Sequence, residues 1–204
     1  MKKYLLIFAI MLLVAGATSC NKSNENKETN QIDASVLGVR LGEAKNTAID
    51  SLDKSGCDFD ATPKVSCEVT GPVAYGDVAF ATAHVQFSQD VVKGDVVTGD
   101  VVTGISCESA FPESAYPDNG KSAKAFYDKL KGMLAAKYQQ YAVAQAQPGE
   151  ADVKAVTKYD DKKTTVTLKL NYVTAANDRE AYWLVTLEIA KSGAPASAPT
   201  DTIK

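Results

Sequence analysis

Two stretches of the chain place apolar residues at the alternating three-and-four spacing of a helix that buries one side. In the longer, Ala123, Phe126, Tyr127, Leu130, Met133, Leu134, Tyr138 and Tyr141 form the stripe, broken only by Lys137, while Lys121, Lys124, Asp128 and Lys131 fall opposite. The shorter, residues 44–55, carries Ala48, Ile49 and Leu52, and Gly56 stands where a left-handed cap would end it beside Cys57. Elsewhere the period is two. β-Branched and aromatic residues predict strands at 64–70, 77–88 and 101–109 and, after the long helix, at 152–159, 163–173 and 180–190. In the fifth of these, Val166, Leu168, Leu170 and Tyr172 alternate with Thr165, Thr167, Lys169 and Asn171, which predicts one buried and one wet face. Turns around Asp161-Lys162 and Ala176-Asn177 would pair Ala155 with Leu168, Leu168 with Val185 and Leu170 with Trp183.

Both halves, 36–110 and 111–190, thus follow the order helix, then three strands. This predicts a single α+β domain over 36–190, built of two layers with helices packed on an antiparallel sheet and two helix-plus-three-strand repeats. Between the second and third strands lie three near-identical pentapeptides, 90–94, 95–99 and 100–104, each opening with Asp-Val-Val and closing with Gly. Adjacent valines face opposite ways in a strand, and a period of five exchanges faces at every unit, so the run reads as an expanded hairpin connection. The opening residues of the domain, Gly38-Val39-Arg40-Leu41-Gly42 followed by Ala48, Ile49, Leu52 and Gly56, resemble those of the β-lactamase-inhibitor-like and SmpA/OmlA outer-membrane-assembly lipoprotein group. The resemblance spans about twenty residues and implies a fold only.

The two ends read differently from the middle. Lys2 and Lys3 precede an apolar run from Tyr4 to Gly16, too short to span a bilayer and the right length for a signal-peptide core. Ala17, Thr18, Ser19 and Cys20 follow, and the chain then turns polar. Residues 1–20 resemble a bacterial lipoprotein signal, which implies removal of 1–19, lipidation of Cys20, and a protein of the cell envelope anchored to the outer membrane, facing periplasm or cell surface. Ordinary cleavage after Ala15-Gly16-Ala17 is the alternative. Several acyl chains on one cysteine would make the anchor stable. Residues 20–35, without an aromatic side chain, read as a flexible tether, and 191–204, with Pro195 and Pro199, as a disordered tail.

Composition narrows the function without naming it. The 204 residues are 45% hydrophobic with a net charge of −3, and loss of 1–19, which holds Lys2 and Lys3 and no acid, makes it −5. No basic stripe interrupts that balance, so nucleic acid is a poor partner. His84 is the one histidine, no metal or hydrolase signature is present, and the sequence predicts neither cofactor nor metal site and no enzyme. On its strand His84 shares a phase with Val78, Phe80, Thr82 and Gln86 and reads as half-buried; Cys67 or Cys107 as a nucleophile with His84 as base is the catalytic alternative. Besides Cys20, an odd number of thiols remains: no bridge, Cys57 with Cys67, and Cys67 with Cys107 stay open as alternatives. Tyr182 and Leu184, pointing opposite to Trp183 and lying beside Val173, form a candidate apolar patch for a protein partner. The leading expectation is a lipid-anchored, non-enzymatic protein-binding or assembly-support module whose partner is another envelope protein. A small-molecule or glycan-binding lipoprotein stands second and a hydrolase third.

Overall fold

The computed structural model describes residues 31–61, 63, 65–88, 91–93, 96–98, 100–144, 152–176 and 179–193, with the backbone alone for 91–93 and 96–98. A small hairpin of β1 (Ser35–Val36) and β2 (Val39–Arg40) precedes α1 (Lys45–Ser55). Then come β3 (Asp58–Phe59), β4 (Ser66–Tyr75), β5 (Val78–Phe87), the short strands β6 (Val91–Lys93) and β7 (Val96–Thr98), and β8 (Val102–Pro112). After α2 (Lys121–Tyr138) and a 3₁₀ turn at Gln139–Tyr141 follow β9 (Val153–Asp160), β10 (Thr164–Val173) and β11 (Tyr182–Lys191). Seven strands join one antiparallel sheet in the order β3-β4-β5-β8-β11-β10-β9.

The fold is therefore mostly antiparallel β, about half strand and under a quarter helix, and corrects the expected two-layer α+β domain with its helices covering a sheet. The reason lies in what each helix can bury. α2 buries Ala123, Tyr127, Leu130, Leu134 and Tyr138 and runs against β8, β10 and β11. α1 buries only Ala48 and Leu52 and leans on β2, too narrow a stripe to cover strands. The place of a second covering helix is taken by the N-terminal segment, where Ile32 and Ala34 are each 6% exposed and Val36 and Val39 are buried. Ile32 and Ala34, within the stretch expected to be tether, thus pack into the core.

Local chemistry explains where the elements start and bend. α1 has no side-chain N-cap, but Asp100 brings its carboxylate to Lys45 at 2.8 Å and its carbonyl to the Lys45 amide at 2.9 Å, so a distant acid serves the positive end of the helix dipole. Gly56 caps it in the left-handed region as the sequence predicts (φ 73°). Before α2, Asp118 accepts the Ser122 amide at 2.9 Å, and Gly120 (φ 79°) brings its backbone so close to Trp183 that any side chain there would strike the indole. β4 runs on past the expected end at Thr70 because Gly71 (φ 109°) and Pro72 sit in a register shift between Thr70 and Val73, where the missing Pro N–H does no harm.

The pairing of β9, β10 and β11 differs from the expected register by two residues. Ala155 faces Leu170, Leu168 faces Leu187, Leu170 faces Val185 and Tyr172 faces Trp183. At the first turn, Asp160 accepts the Lys162 amide (2.7 Å) and Asp161 the amides of Lys163 and Thr164 (2.8 and 2.7 Å), while Lys162 adopts φ 73°. These side-chain bonds centre the turn on Lys162-Lys163, one residue later than expected. An even slip leaves every side chain on its expected face. β6 and β7 pair with each other alone, in line with an expanded connection, whereas Val102, Thr103 and Gly104 of the third pentapeptide belong to β8; Asp90, Gly94, Asp95 and Gly99 lie outside the described residues.

Candidate interaction face

Strand alternation gives the sheet two unlike faces. One presents Cys67, Val69, Ala83, Val85, Ile105, Cys107, Val166, Leu168, Leu170, Val185, Leu187 and Ile189, all buried. α2 closes on this face through Phe126, which makes edge contacts with Phe80 and Phe111, and through the Tyr127 hydroxyl, 2.8 Å from Thr157 Oγ1. Lys45 at the start of α1 lies over the Phe87 ring, and the Tyr138 hydroxyl donates to the Asp33 carbonyl, so the other covering elements sit on the same side. The opposite face is polar and faces outward, as an antiparallel sheet with one packed side should.

That outward face is built from the polar phases of six strands. Glu68 lies directly across from His84, and His84 across from Ser106. Glu108 lies across from Thr82 and Thr186, and Glu188 across from Ser106 and Thr167. Lys169 joins Glu188 at 3.0 Å, and Lys158 approaches Asp160 at 3.9 Å. His84 is 9% exposed, and Ser106 and Thr186 are still less so, because neighbouring side chains on the pleat screen one another. Burial holds the Glu108 carboxyl above the usual range; Glu188 adds to this, whereas the nearby His84 and Ser106 oppose it.

The expected site residues fall out as follows. Cys20 lies outside the described residues. Val173 and Tyr182 pair directly and share the outward face with Leu184, so the patch exists as a group; Leu184, however, is only 7% exposed, packed between Ala110 and Asn171, and is no free anchor. Cys57, Cys67 and Cys107 are all free thiols. β5 separates Cys67 from Cys107, a gap of two strand spacings or about 9.5 Å against the roughly 7 Å limit for a bridge. The register of β3 on β4 carries Cys57 toward Gly71, about four residues along the strand from Cys67. His84 faces outward while Cys67 and Cys107 face the core, so the nucleophile–base pair does not form; burial also raises both thiols, which keeps them protonated. Among the described residues no cluster of His, Cys, Asp and Glu is placed to hold a metal ion.

Glu68, Glu108, Glu188, Lys158 and Lys169 were not singled out by sequence reasoning. Their signal was present in the polar phase of each strand, but a charge on a wet phase is ordinary until the strand order aligns it with its neighbours. Comparison of the chain with models of protein families, with characterised proteins and with solved structures returned no match.

Proposed function

We propose that the chain is a lipid-anchored protein of the bacterial cell envelope, held at the membrane through Cys20, that binds another envelope protein through the outward face of its sheet and performs no catalysis itself. The observation that carries the reading is the asymmetry of the sheet: α2 and the N-terminal segment close one side, while the other presents continuous rows of polar side chains that range from exposed at Glu68 to buried at His84, Ser106 and Thr186. A rigid strand scaffold holds such rows at fixed spacing, which suits recognition of a partner surface. The tie between Ile32 and Asp161 puts the start of the domain close behind the proposed tether, so the face can reach partners a few nanometres from the bilayer.

Two measurements on the full chain test this. Metabolic labelling with a clickable fatty acid is expected to tag the wild type and not Cys20→Ala; equal labelling removes the anchor from the reading. A photocrosslinking amino acid at Thr167, on the outward face, is expected to capture an envelope protein in cells, whereas the same probe at Lys131, on the outer side of α2, is not. Capture only from Lys131 would put the partner surface on the helix.

A further inference from the structure

The outward face is polarised in two directions. Across the strands from β4 to β9, one row reads Glu68, His84, Ser106, Glu188, Thr167 and Lys158. The next reads Thr70, Thr82, Glu108, Thr186, Lys169 and Val156. Within these two rows the carboxylates lie on β4, β8 and β11 and the ammonium groups on β10 and β9; Lys169 pairs with Glu188, and Lys158 lies 3.9 Å from Asp160, one position further along β9 on the same face. Along the strands the character changes as well. Past these rows lie Ala110, Leu184 and Asn171, then Pro112, Tyr182 and Val173, a largely apolar end. The opposite end carries Ser66, Gln86, Thr165 and Asp160.

We infer that this face pairs with the same face of a second copy of the chain, about a two-fold axis parallel to the strands. The inference rests on the reading of the face as a protein-binding surface and names its partner. An axis along the strands reverses strand order but preserves position along each strand. It therefore sets β4 over the partner's β9, with Glu68 against Lys158 of the partner subunit, and brings the apolar end onto the apolar end. An axis across the strands would do the reverse, stacking Glu68 on Glu68 of the partner subunit and apolar rows on polar ones. Both gradients select the same axis, and a closed two-fold contact is self-complementary in this way. The size is adequate: the six strands from β4 to β9, about 4.8 Å apart and eight to eleven residues long at about 3.4 Å per residue, present roughly 900 Å², against about 800 Å² per partner in a standard interface. Anchoring both copies to one membrane raises their effective concentration, so modest affinity suffices.

Charge reversal distinguishes this arrangement from every other. Glu68→Lys places like charges at both equivalent contacts of a homodimer, and so does Lys158→Glu. A mixed pair of the two variants regains opposite charges at both. With the photocrosslinking probe at Thr167 in the full chain in its own membrane, the wild type is expected to give an adduct of two copies of this chain. Each variant alone is expected to lose about tenfold of that adduct and co-expression of the two to restore it. Capture of a different protein in place of a second copy overturns self-pairing and leaves the partner-binding reading standing. No adduct from Thr167 overturns both. Full adduct from the single variants, or no recovery on mixing variants that each fold by circular dichroism, overturns the axis and the proposal with it. Should Lys158→Glu fail to accumulate, because it sets a second carboxylate beside Asp160, the exposed Glu68→Lys variant decides alone: loss of adduct supports the pairing and retention overturns it.

Discussion

At the scale of single residues, Asp161 does more than close a turn. Its carboxylate accepts the amides of Lys163 and Thr164 and also that of Ile32, 129 positions earlier in the chain, so one side chain sets the β9–β10 register and fastens the N-terminal segment over the core. Partial burial pushes its pKa up, but the amides of Thr164, Ile32 and Lys163 outweigh that and hold the carboxyl below its usual range. A carboxyl depressed on folding contributes stability that is present above its unfolded pKa and is lost as pH falls through its folded one. Asp161→Asn is therefore expected to be less stable than wild type at pH 7, by about 1 kcal/mol or less given the exposure of the site, and the difference is expected to close as pH falls through the depressed folded-state pKa of Asp161. Urea unfolding at a series of pH values measures it, and a gap unchanged in acid would locate the effect elsewhere. Asp160, whose own depressed carboxyl is held chiefly by Ser192, is present in both proteins, and its neighbouring charge works against the depression of Asp161.

At the scale of elements, α2 was legible and remains the clearest test of packing. The expected stripe of Phe126, Leu130, Met133 and Leu134 does face the sheet, with Leu130 and Leu134 fully buried and Phe126 and Met133 partly so. Lys124 points to solvent and meets Asp128 one turn on. Leu130→Ala is expected to cost about 2–5 kcal/mol in urea unfolding, and Lys124→Ala at most about 0.5. Similar shifts for both would contradict this packing. The pentapeptides divide in the same concrete way. β6 and β7 pair only with each other, while Asp100 holds the start of α1 and Val102 opens β8. Deleting 95–99 is expected to shift the thermal midpoint little, since loop closure changes by only about 0.6 kcal/mol per doubling of length. Asp100→Ala, which removes the Lys45 partner at the start of α1, is expected to cost about 1 kcal/mol or less in urea unfolding, and an unchanged midpoint would refute that role.

At the scale of the whole molecule, β8 and β11 meet in the middle of the sheet and so bring the wet phases of both halves onto one surface. That surface did not exist in the sequence. Glu68 and Lys158 are ninety residues apart along the chain, and nothing local relates them; only the order β4-β5-β8-β11-β10-β9 sets them at the two margins of one row. The charges on each strand were visible as polar phases, yet a candidate site required knowing which strands adjoin. The segment 32–39 shows the same limit: Ile32, Ala34 and Val36 alternate with Asp33 and Ser35, a rhythm too short to stand apart from the polar stretch before it, and it becomes a cover only where α1 leaves the sheet uncovered. The sequence by itself determined the two helices, six of the strands and the face of most strand residues, since these depend on spacing among near neighbours and survive an even slip of register. β5 is the exception, where Phe80 packs on Phe126 while His84, expected on the same phase, lies on the other face. Tertiary structure alone decided the strand order, the two-residue register, the helix-poor fold and the polarised face. Those depend on contacts between distant segments, on side-chain bonds such as those of Asp161 and Asp100, and on how much apolar surface each helix has to bury.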